Sequence, residues 1–264
     1  MRVVLLGKGG SGKSTLAALL ATELTSRGEA VVAIDADTVP GLAQVLGLEP
    51  TDEWHLANQA VRDNGGWRLN GTPAEIVDRC SMPAAGNPRL RFLQCGNVDA
   101  NLKDIEFRRE SNLANWSGTI AFNSLSRQYD DPGGWAIVDL QGGTLQAAGG
   151  LAGTKGVALL VVEPFAKSTM TARRFAGMGQ WPAGIQLAAV ANKVASADEE
   201  DHVRAALAPV GVPVWTVVPT DPALQRAERD GRPLVTVDPD SPARRAVAHL
   251  ADRLIDARHP APSA

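Results

Sequence analysis

Cysteine is scarce in this chain: its 264 residues include two, Cys80 and Cys95. Two thiols cannot build a disulfide framework, which points to a reducing compartment and leaves each cysteine as a small buried apolar residue. No stretch approaches the roughly 18 consecutive apolar residues of a membrane-spanning helix, so no transmembrane segment is expected. Neither sign of charge is in large excess, with 26 Lys and Arg against 29 Asp and Glu. That balance disfavours a strongly basic nucleic-acid binder, though not a local patch. The four histidines, His55, His202, His249 and His259, are scattered without triad neighbours or metal-ligand spacing. Repeats and low-complexity linkers are absent. The short apolar start, Val3 to Leu6, runs straight into glycine and lysine, so it reads as a first strand and not as a signal peptide. The expectation is a cytoplasmic globular protein, long enough to bury a full core.

What is present is alternation. Apolar runs at Arg2–Leu6, Ala30–Ile34, Arg89–Leu93, Trp135–Val138, Val157–Val162, Ile185–Ala191 and Val214–Val218 read as strands. They lack polar alternation, as strands buried on both faces of a parallel sheet do. Helical periods fall between them, at Lys13–Arg27, Glu110–Tyr129, Lys167–Met178 and Pro222–Asp230. Ser196 and Glu199 have the spacing of a capping box ahead of a helix ending at Pro209. Ser241-Pro242 opens a last helix to about Ala257. Its apolar positions Val247, Leu250, Leu254 and Ile255 read as core-facing. The alternation predicts one doubly wound α/β domain, mostly parallel and flanked by helices, over residues 1–258, with 259–264 a flexible tail. Residues 49–134 are the least regular. They are punctuated by Asn64-Gly65-Gly66 and Gly86-Asn87-Pro88 and are expected to carry what is particular to this protein. Trp54, Trp67 and Trp116 lie there as candidates for a partner surface.

The sharpest motif is Gly7-Lys8-Gly9-Gly10-Ser11-Gly12-Lys13-Ser14-Thr15, which fits G-x-x-x-x-G-K-[ST] between a strand and a helix. Glycines let the backbone wrap phosphate oxygens, and successive N–H groups with the helix N-terminus form an anion nest. Lys13 brings a cation to the β- and γ-phosphates. Ser14 offers a hydroxyl to Mg²⁺, and Thr15 can reach the α-phosphate. Trp135 to Asp139 is an apolar strand ending in a carboxylate that can hold Mg²⁺ through water. Gly142 and Gly143 after it allow a moving loop and offer N–H groups to the γ-phosphate. Ile185–Ala191 runs into Asn192-Lys193, a strand end that can read a purine edge. GTP-selective proteins have aspartate at the fourth position of N-K-x-D, where this chain has Ala195, so adenine is expected. Pro219 and Asp221 lie on a second candidate base-contacting turn. Either of these last segments alone also reads as an ordinary strand-end turn.

Lys8-Gly9-Gly10-Ser11-Gly12-Lys13-Ser14 resembles the deviant Walker A motif, K-G-G-x-G-K-[ST], of the MinD/ParA family of ATPases. The overall pattern is nearest to the CooC-type maturation ATPases. In that family the extra lysine, here Lys8, reaches across an ATP-sandwich dimer to the partner's phosphates. The resemblance makes Asp35 a ligand of a Mg²⁺-bound water and Asp37 the residue that positions the attacking water. Val218-Pro219-Thr220-Asp221 resembles the family's I-P-x-D loop. Two departures stand out: Thr38 where CooC-type relatives usually carry proline, and Leu140-Gln141 in the second switch. No cysteine follows Asp139, unlike in the nitrogenase iron protein, and no C-x-C occurs.

The resemblance implies an ATP-hydrolysing, Mg²⁺-dependent homodimer that switches an unidentified protein partner, with metallocentre or cofactor maturation as one cargo. Positioning of DNA or another cellular cargo is the alternative, DNA being the less favoured partner. A nucleotide-gated scaffold with little hydrolysis is a third reading.

Overall fold

A computed structural model describes residues 1–37, 41–49, 56, 59–84, 86–95, 121, 123–125, 129, 133–143, 153–178 and 181–258. Strand β1, Arg2–Gly7, is buried along its whole length and hands the chain through the glycine-rich loop to α1, Lys13–Ser26. β2, Val31–Ala36, follows, then the short α2, Leu42–Leu46. Two paired strands, β3 Ala60–Asp63 and β4 Gly66–Leu69, precede α3, Pro73–Cys80. β5 Met82–Ala84, β6 Asn87–Gln94, β7 Trp135–Leu140 and β8 Lys155–Val162 come next. Then follow α4 Ala166–Gly177, β9 Gly184–Val194, α5 Ala197–Leu207, β10 Val214–Pro219, α6 Pro222–Arg229 and α7 Pro242–Arg258.

Eight strands form one sheet in the order β10-β9-β8-β1-β7-β2-β6-β5. All its pairings are parallel except that of the edge strand β5 with β6. Side chains alternate between two apolar layers, as the period of a strand requires. On β1, Val3 and Leu5 face α1 and α7, while Val4 and Leu6 join the layer of α4 and α5. Both faces are therefore buried, which is why the strands carry Val, Leu, Ile and Ala without polar alternation. β1 lies centrally, between β7 and β8, so the ends of β1, β2, β7 and β8 open on one edge of the sheet. Ligands bind at the carboxyl ends of the strands in such sheets.

The expected mostly parallel, helix-flanked sheet is what forms. In α7, Val247, Leu250 and Leu254 are fully buried, so its apolar stripe packs into the core. Both cysteines are buried. The expected capping box is half formed: Ser196 Oγ accepts from the Glu199 N–H, but the Glu199 carboxylate accepts from Ala195 N–H at 2.6 Å and not from Ser196. Residues 60–95 are more regular than expected, with a hairpin, a helix and an edge strand. Of the expected helix at Glu110–Tyr129, Ala121 and residues 123–125 are described and helical, and Tyr129 is described, buried and not helical; the rest, with Trp54, Trp116 and the 259–264 tail, lies outside the described residues. Trp67 packs half-buried against the core. Among the described residues, no helix is long and apolar enough to cross a membrane.

Candidate nucleotide site

The loop after β1 is built by backbone conformations that glycine favours. Gly10 and Gly12 have φ of 80° and 93°, in the left-handed region where a side chain is strained. A Cβ on Gly12 would also collide with the Asn192 amide. Asn192 sits at the end of β9 and donates Nδ2–H to Ser11 O at 2.7 Å. Its neighbour Lys193, itself at φ 58°, donates Nζ–H to Gly10 O at 2.7 Å. Strand β9 thus holds two carbonyls of the loop in place, and the Ser11 N–H closes the loop on Lys8 O at 3.2 Å. Lys193 is pinned in turn by Glu163, with Nζ 3.1 Å from Oε1. Glu163 was not foreseen from the sequence. Its signal is a carboxylate just past the apolar run Val157 to Val162 of a parallel strand.

Three aspartates gather beside this loop. Asp35 and Asp139 are opposite each other in the register of β2 and β7, and both are almost fully buried. Asp35 Oδ1 accepts from Asp37 N–H at 3.1 Å, and Oδ2 accepts from Gly41 and Leu42 N–H at 2.9 Å each. The carboxylate thereby fastens the start of α2. Burial pushes the Asp35 carboxyl up to about 7, the Asp139 charge adds to this, and the three backbone N–H groups oppose it. Burial likewise pushes Asp139 up to about 6, against the Ser14 hydroxyl and the Lys13 ammonium, with Asp37 adding to the rise. Asp139 Oδ1 is buried with no hydrogen-bond partner among the described residues. Two buried carboxylates so close repel unless a cation joins them.

A cleft of about 360 Å³ is lined by Gly9, Gly10, Gly12, Lys13, Ser14, Thr15, Asp37, Gly142 and Lys193, with Glu228 and Arg232 also at its wall. Lys8 is not among its lining residues; its Nζ donates to Gly9 O at 3.3 Å on the exposed side of the loop. Gly142 lies against the loop so closely that a Cβ would stand 2.8 Å from Gly9 N, and Gly143 N–H donates to Gly7 O at 3.1 Å.

A second pocket of about 170 Å³ adjoins it, lined by Asn192, Val218, Pro219, Thr220, Asp221 and Leu224 among others. The two share Gly12, Thr15, Lys193, Glu228 and Leu234. Asp221 borders this pocket, but its carboxylate serves the backbone: Oδ1 accepts from Ala223 N–H at 2.8 Å and Oδ2 from Ala243 N–H at 3.1 Å. It caps α6 and braces the start of α7, and so fixes the Pro219 turn. Of the expected site residues, Gly9, Gly10, Gly12, Lys13, Ser14, Thr15, Asp37, Gly142, Asn192, Lys193, Pro219 and Asp221 line one or both cavities, and Lys8, Ser11, Asp35, Asp139 and Gly143 do not. Asp35 stands one strand behind Asp139.

Comparison with known proteins agrees with this geometry. Residues 3–234 match the family model described as the CobQ/CobB/MinD/ParA nucleotide binding domain. The chain is 28% identical over 261 residues to an uncharacterized ATP-binding protein of Methanocaldococcus jannaschii, covering 97% of this chain and 87% of that one. It is 24% identical over 274 residues to the carbon monoxide dehydrogenase accessory protein CooC of Rhodospirillum rubrum, covering 94% of each. Among solved structures, the septum site-determining protein MinD of Pyrococcus horikoshii, complexed with Mg-ADP, superposes with a TM-score of 0.66 at 19% identity, over 98% of this chain and 97% of that one. With a family model spanning most of its length and a loop, strand ends and paired cavities arranged to suit, the chain belongs to the CobQ/CobB/MinD/ParA family of nucleotide-binding domains.

Proposed function

We propose that this protein is a Mg²⁺-dependent ATPase that forms an ATP-gated homodimer and switches a partner protein. The observation that carries the reading is the junction of the two cavities, at Gly12, Thr15 and Lys193. Phosphates fit the glycine-rich cleft, a base fits the apolar pocket at Pro219, and the ribose spans the shared residues. Asn192 spends Nδ2 on Ser11 O, which leaves Oδ1 to accept from the exocyclic amine of adenine. With Ala195 where a guanine reader carries a carboxylate, ATP is the nucleotide.

The donor set fits Mg²⁺. The unpartnered, buried Asp139 Oδ1 and the Ser14 hydroxyl beside that carboxylate are hard oxygens. Asp35, in register with Asp139, would hold a bound water. Among the described residues no group of three or more His, Cys, Asp or Glu could cage a metal alone. This suits an ion that keeps waters and takes phosphate oxygens as ligands. When bound, Mg²⁺ neutralises charge on the β- and γ-phosphates.

The chain's own groups do the rest. The backbone N–H groups of Gly9, Gly10 and Gly12 and the Lys13 ammonium, all at the cleft, hold the phosphates, and Thr15 reaches the α-phosphate. Asp37, which lines the cleft, accepts a hydrogen bond from the water and aims it in line at the γ-phosphorus. As the new P–O bond forms, the bond to the β,γ-bridging oxygen breaks, giving ADP and phosphate. Gly142, which lines the cleft, offers its N–H to the γ-phosphate, while the Gly143 N–H is held by Gly7 O. Lys8 serves the partner protomer's phosphates, which accords with its absence from the lining of its own cleft. The likeness to CooC favours metallocentre maturation as the process served.

The test is phosphate release by purified protein with ATP and Mg²⁺. Turnover that EDTA abolishes is expected. Tight ATP binding without turnover would overturn the ATPase reading in favour of a nucleotide-gated scaffold.

A further inference from the structure

Two large apolar side chains stand out as exposed: Phe165 at 61% and Met170 at 46%. Both belong to one short stretch. Phe165 precedes α4, and Met170 projects from its outer face. The buried face of α4 is supplied by Thr169, Ala172 and Phe175. Its exposed face carries Lys167, Met170, Arg173 and Arg174. The three cations have no ion-pair partner among the described residues. An aromatic and a methionine beside unpaired cations are what interface centres with charged rims are made of.

We propose that this face of α4 is a docking surface for an acidic amphipathic segment of a partner protein. The reading rests on the switch function proposed above and supplies the chemistry of its partner. Apolar residues of the segment would cover Phe165 and Met170, and its carboxylates would meet Lys167, Arg173 and Arg174. A second copy of the chain fits less well. A two-fold contact sets a patch against itself, and three cations would then face three cations. The place suits a switch. Glu163, two residues before Phe165, donates its N–H to Ser168 Oγ in the first turn of α4 at 2.9 Å. Its carboxylate holds Lys193, which holds Gly10 O of the phosphate loop. The docking face and the phosphate cradle are therefore joined by two side chains.

The experiment places photoreactive benzoylphenylalanine at position 170 of the full chain, irradiates the cells that make it, and maps the cross-linked residues by mass spectrometry. The expected product joins α4 to a segment of another protein that carries excess acid and helix-spaced apolar residues. A synthetic peptide of that segment should then bind the purified chain. Its affinity should fall about tenfold or more for Phe165→Ser and for the double variant Arg173→Glu/Arg174→Glu, and should weaken as salt is raised. Cross-links to a second copy, to lipid, to a segment without acidic excess, or to nothing would overturn the proposal. So would a peptide that binds the variants as tightly as the wild type. ATP binding is titrated on the same preparations. None of the altered residues lines the nucleotide cavities, so wild-type protein that binds no ATP refutes the ATPase reading alone, while the cross-link judges the surface.

Discussion

The pair Asp35 and Asp139 makes the ligand-free protein less stable as pH rises, and Asp139→Asn should relieve this. Asp139 is 2% exposed, and its carboxyl is pushed up from 3.8 to about 6, first by burial. Above about pH 6 the group is ionised both folded and unfolded, so folding carries the full penalty of the shift. At about 1.4 kcal/mol per unit this is about 3 kcal/mol. Below about pH 4 the proton is bound in both states and the penalty vanishes. Between these limits the folded state holds more protons, so stability falls with rising pH. Asparagine carries no charge, keeps an oxygen for Ser14, and removes the charge that helps to raise Asp35. Against this stands the burial of an amide without full hydrogen bonding, about 1–2 kcal/mol at any pH. The variant should therefore exceed wild type by about 1–2 kcal/mol at pH 8, or a few degrees in Tm, and lose the advantage near pH 4.5. Thermal unfolding in EDTA at both pH values reads the difference. With ATP and Mg²⁺ the order should reverse, because the wild type then gains the cation. A variant less stable than wild type at pH 8 in EDTA, or an advantage that does not change with pH, would refute the reasoning.

Three further outcomes are expected. Lys13→Ala should weaken nucleotide binding in the monomer, whereas Lys8→Ala should leave it nearly intact but impair dimerisation and hydrolysis; equal loss of monomer binding, read by calorimetry, would make Lys8 an ordinary cradle residue. ATP should bind about ten- to a hundredfold tighter than GTP, the worth of the charged hydrogen bond that Ala195 cannot make to guanine, and equal binding would sink the adenine assignment. Glu23→Ala should cost about 3 kcal/mol. It strands the buried Arg244, which is held 2.9 Å from Glu23 and donates to Val235 O and Val237 O; a change in urea midpoint equivalent to under about 1 kcal/mol would show that the pair is already solvated.

The parts of the site that local sequence specifies were legible, and the parts made by strands meeting across the sheet were not. Gly7 to Thr15 could be read because its glycines, its lysine and the apolar runs on either side are contiguous. Asp35 and Asp139 could be read as strand-end carboxylates, but their facing each other depends on the register of β2 with β7. Asn192 and Lys193 were assigned to the base. Their hold on Ser11 and Gly10 spans 181 and 183 residues of chain, and no local pattern encodes such a reach. Glu163 was passed over for the same reason. The β3–β4 hairpin was missed because its strands are short and largely solvent-facing, which leaves no apolar run to see. Its two-residue Asn64-Gly65 loop between paired Asp63 and Gly66 was the available signal.

Asp37→Ala offers the most direct test of an ATP-gated dimer. The cradle and the Mg²⁺ ligands remain in this variant, so ATP still binds, but the water loses its acceptor and turnover should fall by about 10²–10⁴-fold. Light scattering with ATP and Mg²⁺ should therefore find the variant as a lasting dimer, while the wild type returns to monomer as ATP is consumed. An Asp37→Ala protein that hydrolyses ATP at the wild-type rate, or that stays monomeric with ATP and Mg²⁺, would contradict the account.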